Sequence, residues 1–154
     1  MTIQIREGTP SDRDTVARFN AAMAVETEDK TLDPDTLGAG VGKALADPER
    51  GVYFLAEIDG EVIGQLMFTL EWSDWRDGWF WWIQSVYVAP EYRRHGVFAK
   101  LYRHLVALAR ERSDVCGVRL YVDAGNDRAQ KVYGSLGMRM TDYRVMELSL
   151  AEEA

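Results

Sequence analysis

The chain has 154 residues, of which 47% are apolar and 28% are charged, and its net charge is −7. This length predicts one domain, residues 1–154, with a full hydrophobic core, and the composition excludes a disordered chain. The acidic balance argues against nucleic acid as a partner, because nucleic-acid binding depends on Lys and Arg that neutralise phosphates.

The hydropathy pattern and the small number of Cys and His residues argue against a membrane protein, a secreted protein and a zinc protein. No apolar run approaches the roughly 20 residues that span a bilayer, and the first residues lack a signal-sequence pattern. We therefore expect a cytoplasmic protein with no membrane partner. The single cysteine, Cys116, cannot form an internal disulfide and is predicted in the core. One cysteine and two histidines are too few for the usual four-ligand sites of structural zinc, so no metal is expected.

Periodicity predicts the elements of the N-terminal third. Residues 2–6 alternate as a short strand does. Thr9, followed by proline, is typical of a helix start, and apolar residues at helical spacing extend this helix to about residue 25. Asp33 before Pro34 predicts the cap of a second helix, which ends near residue 46.

The middle of the chain predicts a hairpin and an aromatic strand. Residues 51–58 and 62–70 flank Asp59 and Gly60, a pair typical of a two-residue hairpin turn. All five tryptophans follow, divided by a turn at residues 74–78. Half of the rings after that turn are expected to face the core. The others are interpreted as further core packing, a dimer surface or an aromatic wall for the substrate.

The most informative stretch is Ser85–Leu101, SVYVAPEYRRHGVFAKL. It predicts a buried strand that Pro90 ends, and then a helix that begins near Gly96, since apolar residues recur at helical spacing from Phe98 onward. Free N–H groups and the helix dipole make such a turn an anion site. The expected anion is phosphate, because one glutamate, Glu91, is outnumbered by four basic residues: Arg93, Arg94, Lys100 and Arg103.

The C-terminal third repeats the order of strand and helix. Residues 117–123 alternate as a strand. Asn126 and Asp127 are predicted to cap a helix that Gly137 closes. A final strand is predicted from about Met138 to Leu148.

Two segments resemble the GCN5-related N-acetyltransferase (GNAT) superfamily. The stretch SVYVAPEYRRHGVFAKLY resembles its motif A, in which Arg93 and Gly96 take the Arg/Gln and first Gly positions. Phe98 departs from the motif, because the family usually has a small residue there. NDRAQKVYGSLGM, residues 126–138, resembles motif B, with Tyr133 in the tyrosine position. The resemblance covers roughly the C-terminal two thirds of the chain.

The resemblance implies an α/β (α+β) fold of the acyl-CoA N-acyltransferase type. Its mixed, mostly antiparallel sheet is flanked by helices in the order β-α-α-β-β-β-α-β-α-β. The fourth and fifth strands would splay apart and accept the pantetheine arm of acetyl-CoA. The positions that the resemblance assigns to cofactor binding are Val86, Val88, Arg93, Arg94, His95, Gly96, Val97, Phe98, Ala99, Asn126, Ala129 and Tyr133.

The implied reaction is direct acetyl transfer to a primary amine of a small, cationic acceptor. An alkyl ammonium is less than about one per cent free base near neutral pH, so a base must take its proton. Tyr133 is expected to be the acid beside the CoA sulfur, and a backbone N–H near Tyr87 or Val88 to stabilise the oxyanion. Some members of the family have a glutamate on the strand before motif A that acts as the general base. The matching residue here is Gln84, whose amide cannot usefully accept a proton. The alternatives for the base are Glu26, Glu28, Asp74, Asp77 and a water chain that ends at Ser85.

Two other functions fit the same sequence. Phe98 and Gln84 favour a CoA-binding regulatory module that has lost catalysis. The tryptophans are also compatible with a non-enzymatic domain that dimerises through them. A homodimer is compatible with all three functions.

Overall fold

The computed structural model describes residues 2–151, which form two compact units, residues 2–121 and residues 122–151. The first unit contains a five-stranded sheet in the order β1-β2-β3-β4-β5. Its strands are β1 (Gln4–Glu7), β2 (Val52–Ile58), β3 (Glu61–Ser73), β4 (Gly78–Val88) and β5 (Val115–Leu120), and its helices are α1 (Arg13–Glu28), α2 (Pro34–Ala46) and α3 (Val97–Glu111). That the two units form a single domain stays a prediction.

The predicted mixed fold is confirmed. Neighbouring strands are antiparallel from β1 to β4, whereas β4 and β5 are parallel. Short-range chemistry explains several element ends. Asp33 caps α2 by accepting a hydrogen bond from the Thr36 N–H at 2.9 Å. Asp59 and Gly60 adopt φ angles of 50° and 80°, as the tight turn between β2 and β3 requires.

Helices cover both faces of the sheet. Successive side chains of a strand point to opposite faces, so neighbouring residues of β2 contact different helices. Tyr53 and Leu55 belong to a buried cluster with Val16 of α1 and with Val41 of α2. Phe54, between them, packs edge-on against His104 of α3 at a ring distance of 4.9 Å. The core therefore has two layers, with α1 and α2 on one face of the sheet and α3 on the other.

Strand β4 is irregular in its second half. Gln65 pairs with Tyr87 and Met67 with Gln84, so β4 carries one extra residue, and Ser85 adopts a φ of 51°. Pairing between β4 and β5 ends at Ile83, although β4 continues to Val88. β5 itself ends at Leu120, the residue opposite Ile83, so it leaves the rest of β4 unpaired on that side. The splay of the two strands stays a prediction.

The tryptophans divide between core and surface. Trp81 is buried and stacks on Phe68 with ring centroids 4.1 Å apart. Trp72 and Trp75, before and within the turn, are exposed. The core prediction therefore holds for part of this segment.

The second unit contains α4 (Asp127–Ser135), which Asn126 caps as predicted. The strand predicted from Met138 to Leu148 is wrong: the described residues there form no strand, and those from 140 onward are exposed. Alternation does not suffice for a strand, because the hydrogen bonds of a strand lie on a neighbouring strand. Cys116 is also exposed, against the prediction, since it faces outward from β5 at the edge of the sheet. No helix within residues 2–151 has the length and apolarity to cross a membrane.

Candidate active site

The turn between β4 and α3 is fixed at both ends. The Ala89 N–H donates to the Ile63 carbonyl at 2.8 Å, which holds the end of β4 against β3. Val97, the first residue of α3, is buried against Gly64 of β3, where an added Cβ would lie 3.0 Å from the valine Cγ1. Glycine at position 64 therefore lets the start of α3 approach the sheet closely.

The start of α3 offers backbone donors to an anion. Gly96 caps the helix in the left-handed region with a φ of 75°, and an added Cβ there would meet nothing within 4 Å. Within the described residues, the N–H groups of Gly96, Val97 and Ala99 have no backbone acceptor. Arg94 and His95 beside them are exposed. Free amides, an open approach and the neighbouring guanidinium of Arg94 suit a phosphate group.

Strand β4 presents an open edge next to this turn. Residues 84–88 pair with β3 on one side, whereas β5 ends its pairing at Ile83. Val86 and Val88 on this edge are half-buried. The Val88 carbonyl accepts a hydrogen bond from Arg93 Nε at 2.9 Å. An extended molecule can add to such an edge as a further strand would.

Arg93 does not point freely towards solvent but joins a cluster with two other predicted site residues. Its Nη2 donates to Glu26 Oε2 at 2.8 Å, and its guanidinium lies 5.3 Å from the centre of the Tyr87 ring. The Tyr87 hydroxyl donates to Glu26 Oε1 at 3.1 Å. Hydrogen bonding from Arg93 lowers the pKa of Glu26, and burial raises the pKa of Tyr87.

Phe98, the departure from motif A, lies in the first turn of α3. Its ring is half-buried, and the ring centroid is 6.1 Å from that of Tyr102, one helical turn further on. Residues four apart are neighbours on one helix face, which explains the contact.

An open cleft of about 370 Å³ lies between α1, α2 and the sheet. This volume is within the range of small-molecule sites, about 300–1,000 Å³. Glu28, the last residue of α1, lines the cleft together with Ser85 at the irregular position of β4. The other lining residues are Asn20, Met23, Ala24, Leu32, Thr36, Leu37, Gly40, Val41, Ala44, Tyr53 and Met67.

A buried chain of polar groups lies at the sheet side of the cleft. Gln65 is fully buried and donates through Nε2 to both Asn20 Oδ1 and the Ser85 carbonyl, each at 3.0 Å. Asn20 in turn donates to the Tyr53 hydroxyl at 3.3 Å. Within residues 2–151, Gln65 Oε1 has no hydrogen-bond partner. These bonds hold the backbone of Ser85 in its unusual conformation.

The structure separates the alternatives for the base. Asp74 and Asp77 lie in the turn where Ser73 pairs with Gly78, at the far end of β4. Seven residues of strand, about 23 Å, separate that end from Ser85. Gln84 is engaged with β3, where its Nε2 donates to Thr69 Oγ1 at 2.7 Å. Glu28 and Ser85 are the two alternatives that line the cleft.

The remaining predicted residues belong to the second unit. Asn126 Oδ1 accepts from the Ala129 N–H at 3.0 Å and so caps α4. Tyr133 lies near the end of the same helix, half-buried, and burial raises the pKa of its hydroxyl. A raised pKa keeps the phenol protonated, as an acid requires.

Sequence reasoning missed Asn20 and Gln65. One signal was present: Gln65 interrupts the apolar run VIGQLMF, and a polar side chain in a buried strand needs a partner. Its partner Asn20 is 45 residues away. No local pattern joins two such positions.

Among residues 2–151, no group of three or more His, Cys, Asp or Glu lies together as a metal site would require. The mixed sheet, the unpaired edge of β4, the donors at α3 and the cleft that includes Ser85 are the features expected of an acyl-CoA-dependent acyltransferase. The model of the acetyltransferase (GNAT) family matches residues 19–138, and the chain belongs to this family. It is therefore an N-acetyltransferase.

Individual relatives agree with the family assignment. A possible acetyltransferase from Clostridium difficile 630 is 43% identical, with a TM-score of 0.92, and the match covers 99% of this chain and 100% of that one. An uncharacterized N-acetyltransferase of Archaeoglobus fulgidus is 28% identical over 89% of this chain and 93% of its own length. A predicted acetyltransferase with acetyl-CoA from Clostridium acetobutylicum, 19% identical over 97% of each chain with a TM-score of 0.79, shares the fold.

Proposed function

We propose that this enzyme transfers the acetyl group of acetyl-CoA directly to the primary amine of a small, cationic acceptor. One observation carries the proposal: Ser85 belongs both to the open edge of β4 and to the lining of the cleft. A donor along the edge and an acceptor in the cleft would therefore meet at one residue. Close approach of the two reactants is itself a large part of catalysis.

Acetyl-CoA would be held by backbone more than by side chains. The donors at the start of α3, from Arg94 to Ala99, would bind its pyrophosphate, and the edge at Val86 and Val88 its pantetheine arm. The exposed Arg94 would add positive charge, and the family resemblance assigns Arg93, His95, Asn126 and Ala129 to cofactor binding as well. When bound, acetyl-CoA supplies the acetyl group in activated form as a thioester.

Glu28 is the residue that we propose as base, because it lines the cleft whereas Glu26 is engaged by Arg93 and Tyr87. Glu28 would take the ammonium proton directly or through water beside Ser85. A backbone N–H near Tyr87 or Val88 would stabilise the negative charge that develops on the carbonyl oxygen. Tyr133, whose raised pKa keeps its proton, would protonate the leaving sulfur.

The test is release of free thiol from acetyl-CoA by the purified chain over a panel of amines. We expect amine-dependent release, together with binding of CoA measured by calorimetry. Heat from CoA binding without turnover of any amine would contradict the proposal and favour a regulatory module. No heat at all would contradict the proposed cofactor site.

A homodimer is a further proposal for the same chain. Trp72 and Trp75 are exposed, the latter by 88%, next to Leu70 at the end of the β3–β4 hairpin. Exposed aromatic patches are typical of contact surfaces. Light scattering tests this, because Trp75→Ser is expected to shift a dimer towards monomer, and a monomeric wild type would contradict it.

A further inference from the structure

The cleft differs in chemistry from a site for polycations. Among its lining residues, all within the described chain, Glu28 is the one charged side chain. The acidic residues that follow α1 do not line it, and Asp33 is engaged as the cap of α2. A polyamine or an aminoglycoside carries several ammonium groups, each of which loses solvation unless it meets a carboxylate or another acceptor. One carboxylate fits one ammonium.

The rest of the lining is mostly apolar. Val41 and Ala44 on the α2 side are buried, and Leu37 and Met67 pack against the cluster that contains them. Further apolar lining comes from Met23, Ala24 and Leu32. Burial of an apolar ligand group against such a wall is favourable, whereas burial of a charged group there is unfavourable.

The polar lining residues are Glu28, Thr36, and, on the sheet side, Asn20, Tyr53 and Ser85. The hydroxyls of Thr36 and Tyr53 are already engaged, since Thr36 Oγ1 donates to Asp33 Oδ2 at 2.7 Å and the Tyr53 hydroxyl accepts from Asn20 at 3.3 Å. The Ser85 hydroxyl makes no hydrogen bond within the described residues, so it can receive one from an ammonium. Since α2 supplies five of the lining residues, the remainder of an amine bound by Glu28 and Ser85 can pack against α2.

We infer that the acceptor is a monoamine with an apolar body of several carbon atoms, its amine beside Glu28 and Ser85 and its body against α2. The inference rests on the proposed function and narrows the cationic acceptor to one that carries a single charge. Polyamines and aminoglycosides are then poor substrates, although they are richer in amines.

The first experiment measures thiol release with the homologous amines from propylamine to hexylamine, with spermidine and kanamycin for comparison. We expect kcat/KM to rise about fourfold for each added methylene until the cleft is filled. A flat series, or spermidine or kanamycin acting better than hexylamine, would overturn the inference and leave acetyl transfer intact.

Calorimetric binding of the same amines to the CoA-loaded enzyme gives a readout that does not require turnover. Affinity that rises with chain length supports the inference even if no amine is acetylated, in which case the proposed function alone fails. Affinity that is unrelated to chain length, or absent for every alkylamine, overturns the inference.

A blocking variant locates the body of the acceptor. Gly40 lines the cleft from α2, and an added Cβ would meet nothing within 4 Å, so the side chain of Gly40→Leu can start into the cleft without a clash at its Cβ. Ala39→Leu is the matched control, because Ala39 is an exposed neighbour on the same helix and outside the lining. We expect Gly40→Leu to lower kcat/KM and binding affinity at least tenfold for hexylamine and only slightly for propylamine. Equal losses for both amines, or none, would overturn the inference.

Discussion

The guanidinium of Arg93 and the carboxylate of Glu26 form an ion pair, with Nη2 and Oε2 2.8 Å apart. Arg93 also bonds the Val88 carbonyl, and Glu26 also accepts from Tyr87. The pair therefore links the end of α1, beside the cleft, to the turn proposed to bind the cofactor. We propose that Glu26 is a positioning group for Arg93 and Tyr87.

Glu26→Gln tests that role. Arg93 lowers the pKa of Glu26, so the carboxylate stays ionised and the pair intact above that lowered pKa, and the pair is lost only as the pH falls below it. We expect KM for acetyl-CoA to rise about threefold to tenfold from a weakened charged hydrogen bond. The acid limb of kcat against pH is expected to be unchanged. Its disappearance would instead identify Glu26 as the base.

Glu28→Gln tests the base itself. Removing a general base costs about a hundredfold or more in rate, and we expect this loss in kcat/KM for the amine. Glu26→Gln is the matched control, since it makes the same chemical change two residues earlier on α1. Similar kinetics for the two variants would contradict the assignment.

Tyr133→Phe tests the acid. We expect kcat to fall by about 10² at unchanged KM for the amine. Because burial raises the pKa of Tyr133, the wild-type hydroxyl keeps its proton beyond its usual pKa of about 10, and no alkaline limb from this group is expected below that pH. Tyr143→Phe, at an exposed tyrosine of the same unit, is the control. An unchanged kcat in Tyr133→Phe would remove the assignment.

Gly96→Ala tests the phosphate site against a matched turn. Gly96 and Gly60 have φ angles of 75° and 80°, and an added Cβ meets nothing within 4 Å at either position. Alanine in this region costs about 1–2 kcal/mol, so we expect both variants to lose similar stability in urea unfolding. Only Gly96→Ala is expected to raise KM for acetyl-CoA. An equal KM in the two variants would argue against phosphate binding at α3.

Asp12→Asn tests the stability of the N-terminal segment. Both carboxylate oxygens of Asp12 accept hydrogen bonds from Arg6 at 2.8 Å, and Oδ2 also accepts from the Thr9 N–H. We expect a loss of about 1.5–3 kcal/mol in the free energy of unfolding, the range for hydrogen bonds to charged groups. Asp14→Asn is the control, because the Asp14 side chain is fully exposed.

The same pair predicts a pH dependence. Hydrogen bonding from Arg6 lowers the pKa of Asp12 in the folded state, so its contribution is complete above the unfolded pKa of about 3.9. It is lost as the pH falls through the lowered folded value. The difference in stability between wild type and Asp12→Asn is therefore expected to be constant near neutrality and to shrink in acid. A difference that grows in acid would contradict this.

Local chemistry predicted many element ends correctly. The second helix was expected to run from Pro34 to about Ala46, and α2 has these bounds, because a cap and a proline act within one turn. The turn at Asp59 and the start of α3 after Gly96 are local in the same sense. The last strand was wrong because its hydrogen bonds depend on a neighbour that the local sequence does not specify.

The sequence by itself determined the turn from β4 to α3, with its glycine, its basic residues and its free amides, since all of these lie within one short stretch. The tertiary structure decided the rest of the site. Glu26 and Arg93 are 67 residues apart, and the cleft combines two helices with three strands. Packing of α1 and α2 on the sheet brings these groups together, because contacts between distant residues follow from burial of apolar surface and not from local spacing.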